Sequence, residues 1–180
     1  MMYEGASTTA RLNRKGLNNG GPNEDVAKSL DKLRRRSRHA IANQAFATGA
    51  KENYLINMVG KGVTAKWADE NVQAMWNRWV QDCDLTGREN LFGLQGLAVG
   101  SQFESGECLT RAIWVDDDSE IPLRLHVFEA DHLDCDYSDE QADTHMGIRF
   151  EGARPVGYHL FKHHPSDRYG QMNERFEVPA

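Results

Sequence analysis

The chain has 180 residues, 39% of them apolar and 27% charged, which is enough for one ordinary packed domain. The longest uncharged run, Leu91 to Phe103, carries three glycines and two glutamines and falls short of the about 18 apolar residues read as a membrane helix, so no membrane partner is expected. The net charge of −6 divides unevenly: residues 1–66 hold 12 basic against 5 acidic side chains, residues 67–180 hold 9 against 22, and a basic arm beside an acidic body points to a polyanion or a neighbouring subunit.

Residues 1–22 are rich in glycine, asparagine, serine and threonine and carry almost no large apolar side chain after Tyr3, so a flexible arm is expected there. One domain, expected to be incomplete at its C-terminus, then covers residues 23–180. Asn23 is placed to cap a helix in which Val26, Leu30, Leu33, Ser37, Ile41 and Ala45 recur at spacings of three and four. Thr48-Gly49 reads as its interruption. A second helix puts Tyr54, Leu55, Met58 and Val59 on one side and stops at Gly60.

Val63 to Trp67 reads as extended. Asp69 then caps a third helix with the stripe Val72, Met75, Trp76, Trp79, Val80 and Cys83; the stripe marks core, and so do the tryptophans. Asp84 to Arg88 is a turn. Asn90 is placed to cap a fourth helix whose Gly93, Gly96 and Gly100 share a face; each costs about 1 kcal/mol relative to alanine, so either a neighbour packs very close over them or the segment is not helical.

Strands follow. Cys108 to Val115 is bounded by Asp116-Asp117-Asp118, and Ile121, Leu123, Leu125 and Val127 alternate. Residues 131–143 read as an acidic solvated loop. Met146, Ile148 and Phe150, the turn Gly152-Ala153, then Val156, Tyr158 and Leu160 read as a hairpin. From His163 the chain reads as polar and irregular, with a strand beginning at its last residues, as if the sequence were part of something longer. Helices first and strands later give an α+β class, with N-terminal helices packed on a mainly antiparallel sheet.

The chemistry-bearing motifs are few. Gly60-Lys61-Gly62-Val63-Thr64-Ala65 has a dinucleotide-loop spacing, but it follows a helix and opens an extended segment, so a helix stop is the better reading. Asp134-Cys135-Asp136-Tyr137-Ser138-Asp139 opens like a calcium loop, yet Asp139 stands where glycine is required and His145 where the bidentate glutamate belongs. Asp131, His132, His163 and His164 carry the right donors for a metal-dependent hydrolase without a supporting local spacing. Three separated cysteines, Cys83, Cys108 and Cys135, form no disulfide framework and fit a reducing compartment, with Cys108 a core residue of its strand. No catalytic residue, metal or cofactor is expected. The one dense charge cluster is Arg34, Arg35, Arg36 and Arg38, a candidate polyanion or subunit contact.

Several ordered motifs resemble one family. Tyr3-Glu4-Gly5-Ala6 and Gly21-Pro22-Asn23, then Ser37-Arg38, Asn43, Phe46 and Asn57-Met58-Val59-Gly60-Lys61-Gly62-Val63, are similar to the start of lambda-type phage portal proteins. The resemblance continues through Trp76 and Trp79, Asp84, Gly87, Gln95 and Ser105-Gly106-Glu107. It is strongest in Leu125-His126-Val127-Phe128-Glu129-Ala130-Asp131-His132-Leu133-Asp134, and it runs on through Gly147-Ile148-Arg149-Phe150-Glu151, Gly152-Ala153-Arg154-Pro155-Val156-Gly157-Tyr158 and Val178-Pro179-Ala180. Gln44-Ala45 stands where the family usually has Asn-Pro, which should remove a helix break.

The resemblance implies the outer wing part of a portal subunit, with stem, clip and tunnel loop lying beyond residue 180 and the sequence a truncated fragment or prophage remnant. It implies a structural, non-enzymatic role in a dodecameric ring at a capsid vertex, through which double-stranded DNA is packaged and ejected. The implied partners are other portal subunits, the capsid and the terminase; the implied location is the virion, and the bacterial host cytoplasm during assembly. Without the ring core, this stretch alone is expected not to close a ring. The alternative is a small nucleic-acid-binding module using the basic N-terminal helix.

Overall fold

A computed structural model describes residues 22–167 and 174–180. The expected flexible arm therefore lies outside the described residues except for Pro22, as does the middle of the C-terminal stretch. The chain divides into two units, residues 1–33 and 34–180.

Four helices come first: α1 (Pro22–Asn43), α2 (Ala45–Met58), α3 (Glu70–Asp82) and α4 (Leu91–Ser105). Six strands follow: β1 (Cys108–Trp114), β2 (Leu123–Glu129), β3 (Thr144–His145), β4 (Ile148–Glu151), β5 (Arg154–Phe161) and β6 (Arg175–Pro179). β1 and β2 form a two-stranded antiparallel sheet, and β3-β4-β5-β6 a second antiparallel sheet in that order. The α+β class holds, with two sheets in place of the expected one. α4 lies centrally, against α2 and α3 on the helical side and against β1 and β2 on the other.

Local chemistry explains most boundaries. The Asp69 carboxylate accepts from the Asn71 and Val72 amides at 2.8 and 3.3 Å, and the Asn90 side chain accepts from Phe92 and Gly93 at 3.1 and 3.0 Å, so both expected caps are in place. Gly106, at φ +86, closes α4 in the left-handed region that suits glycine. The β4–β5 hairpin turns at Gly152, with Glu151 opposite Arg154.

The structure differs from or adds to these expectations at several points. α1 begins at Pro22, so Asn23 lies inside the helix. The helix break falls at Gln44, whose extended backbone (φ −123, ψ 112) separates α1 from α2, while Thr48-Gly49 is helical. The break thus persists without proline; the Thr48 hydroxyl supports it by donating to the Ile41 and Gln44 carbonyls at 2.6 and 3.1 Å. In β2 the alternating Leu123, Leu125 and Val127 are half-buried and the opposite face carries the buried Arg124 and Phe128, so the strand is covered on both sides. The strand expected at the last residues is β6, which already begins at Arg175 and buries Val178. Finally, Trp67 and Trp114 are exposed, whereas Trp79 donates its indole N–H to the Leu123 carbonyl at 2.7 Å.

The main core joins both sheets. Phe128 of β2, Leu133, Leu160 of β5 and Val178 of β6 are buried together, with Leu109, Ile148, Tyr158 and Phe176 packed around them. Burial of such side chains contributes about 1.5–3 kcal/mol each.

Candidate functional site

The arginine run of α1 does two different things. Its four side chains leave the helix at about 100° steps, so no single surface can take all of them. Arg34 and Arg38, one helical turn apart, point inward in the 34–180 unit. Arg34 is 6% exposed; its Nε donates to the Ser105 carbonyl at 3.4 Å, its guanidinium bonds Glu107, and it lies 3.9 Å from Asp131. Arg38 donates to the Ser105 hydroxyl at 2.8 and 3.2 Å, bonds Asp131 and approaches Glu129 at 3.8 Å. Arg35 and Arg36 are exposed.

The acceptors come from three places. Ser105 ends α4 and Glu107 precedes β1. Glu129 ends β2, and Asp131 lies in a 3-10 turn, residues 130–132, that follows it. The end of α4 presents carbonyls without helical partners, which suits a buried cation. The site is thus a knot of charge at which α1 is fastened to the α4–β1 turn and the end of β2. Glu107 and Glu129 had no local signal in the sequence; the acidic excess of residues 67–180 marked only the class of partner.

The histidine constellation is partly assembled. His164 Nε2 stands 3.4 Å from Asp131 and 3.7 Å from Glu129, and ligand atoms of Glu129, Asp131 and His164 lie within 4.8 Å of one another. These are the residues that could hold a metal, but Arg38 already bonds Asp131, so an ion would have to displace a cation held by two carboxylates. His132 is turned away, its Nδ1 2.9 Å from the Phe161 carbonyl, and His163 is exposed.

The remaining motifs have structural uses. Gly60 and Gly62 both have positive φ, +54 and +86, directly after α2, and Gln95 clamps the extended chain that follows by accepting from Val63 N at 2.8 Å and donating to Val63 O at 3.3 Å. The acidic loop is not wholly solvated: Asp134 is 2% exposed and pairs with Arg175 of β6 at 2.5 Å. Asp84, 5% exposed, accepts from the Thr86 hydroxyl and from the Thr86, Arg88 and Glu89 amides at 2.6–3.1 Å. Burial alone would raise its pKa, but those hydrogen bonds outweigh it and hold the carboxyl below its ordinary 3.8. Burial pushes the Cys135 thiol up, against the opposing field of Arg34.

The sequence matches the family described as phage portal protein, lambda family, over residues 8–180. The chain belongs to that family. Its expected resemblance is therefore correct, and a structural role in a phage portal follows from membership. No curated protein matches the chain. Among the described residues, no helix of this portal chain is long and apolar enough to cross a membrane.

Proposed function

We propose that this portal chain is the wing part of a subunit in the ring at one capsid vertex, and that it serves the packaging and ejection of double-stranded DNA as a structural piece. The family match over residues 8–180 carries the reading. The site agrees with it: Arg34 and Arg38 are spent on fastening α1 to the body of the same unit, an architectural use. The partners in this reading are other portal subunits, with capsid and terminase reached through the assembled portal, and the ATPase belongs to the terminase.

Immunogold labelling of particles made by the cell that carries the gene tests this. Label at a single vertex is expected; particles free of the chain would overturn the proposal. As a nucleic-acid module the chain would depend on Arg35 and Arg36, and its duplex binding would fall steeply with salt. Replacing both with alanine is expected to leave retention of DNA on a filter unchanged.

A further inference from the structure

The glycine face of α4 has no close neighbour at its centre: a Cβ placed on Gly96 would meet nothing within 4 Å, and one on Gly100 would only touch Lys51 and Leu55 of α2 at 3.5–3.9 Å. These glycines line an open groove of about 650 Å3. Leu55 and Ile56 of α2, with Val59 just after it, form one wall, with Leu97 of α4 and Val127 of β2 also lining it. Its charged lining residues are Glu89, Glu104 and Glu129 against Lys51. Leu97 and Ile56 are 53% and 67% exposed, an apolar surface facing water.

The chain also carries a helical stripe of matching character. Val26 and Leu33 of α1 are 50% and 59% exposed, with Leu30 between them on the same face. From Val26 to Arg36 the sequence holds five basic residues and one acidic. Val26 to Leu33 is seven residues, about 10 Å of helix, the same rise as Gly93 to Gly100. The helix is basic with an apolar stripe, and the groove is acidic with an apolar floor, so the two are of opposite charge and like character.

We infer that the α2–α4 groove receives the Val26–Leu33 stripe of α1 from a second copy of this chain. The contact is heterologous, joining two different patches, and so propagates from copy to copy. Glycine at 96 lets the incoming helix approach the α4 backbone, and Lys32 and Arg36 lie on the helix to meet Glu89, Glu104 being paired with Lys51 of its own chain. This rests on the proposed portal assembly and names the surfaces that meet in it.

The test mixes two singly substituted full chains, Leu33→Cys with an affinity tag and Leu97→Cys without, under mild oxidation; the unsubstituted chain with its own three cysteines sets the background. A disulfide-linked heterodimer is expected in excess over either homodimer. Gly96→Leu, which fills open space and raises helix propensity, should keep the circular dichroism spectrum and lower the heterodimer about tenfold. Heterodimer no more abundant than the homodimers would overturn the inference, as would indifference to Gly96→Leu. A doubly substituted chain that links only within itself would assign the groove to its own α1 instead. Particles that label at one vertex without the heterodimer sink this contact alone; heterodimer from a chain absent from particles sinks the portal placement alone.

Discussion

The strand half and the helical half of the 34–180 unit bury their apolar residues to very different degrees. After Ser105, Phe128, Ala130, Leu133, Leu160 and Val178 are buried, and Trp114 alone among the large apolar side chains described there is strongly exposed. Between residues 45 and 105 only Val80, Cys83 and Leu94 are buried apolar residues, while Phe46 stands 92% exposed, Val63 70%, Ile56 67% and Met58 55%. One half closes on itself through two sheets; the other is a layer of helices with its outer side uncovered. In a subunit of an assembly, that uncovered side is where a neighbour gains most by docking.

Mutations should separate the two halves by magnitude. Leu160→Ala removes the centre of the sheet-to-sheet core and is expected to cost about 3 kcal/mol in urea unfolding. Arg34→Ala leaves Glu107 without its cation and the Ser105 carbonyl without its side-chain donor and should cost about 2 kcal/mol, while Arg36→Ala on the exposed face should stay within about 0.5 kcal/mol. Equal losses at positions 34 and 36 would refute the division of the arginine run.

Asp84→Asn removes the charge that organises the turn before α4 and should cost about 1.5 kcal/mol at neutral pH. Because the folded Asp84 pKa lies below the unfolded value, its contribution is full above about pH 4 and is lost as pH falls through the folded pKa. The stabilities of the wild type and the Asp84→Asn variant should therefore converge in acid titration below about pH 4. Asn90→Ala should cost about 1 kcal/mol through the lost cap of α4. Phe46→Ser is the smallest effect, within about 0.5 kcal/mol, since the ring already stands in water.

What could be read from the sequence follows a physical rule. Signals confined to a few residues were legible: the Asp69 and Asn90 caps, the turn at Gly87, the hairpin at Gly152 and the α3 stripe. The sequence marks the helix break at Thr48-Gly49, four residues after Gln44, because the true break is a backbone conformation that glutamine does not announce. The alternation of β2 marks one covered face only; its second face, with Phe128, is covered by a sheet brought from residues 144–179, which no local pattern announces. The arginine run was visible as charge, but its division into an inward pair and an outward pair depends on Glu107 and Asp131, more than seventy residues away. Family membership was legible because many short motifs kept their order along the chain.

The most direct test is oxidative footprinting of the isolated chain against the chain within purified particles, read at Met58 and Trp67 with Trp114 as internal reference. All three are more than half exposed and should react readily in the isolated chain. The account predicts that Met58 and Trp67 become protected relative to Trp114 in the particle; undiminished reactivity of both there would contradict a portal subunit whose helical side is covered by its neighbours.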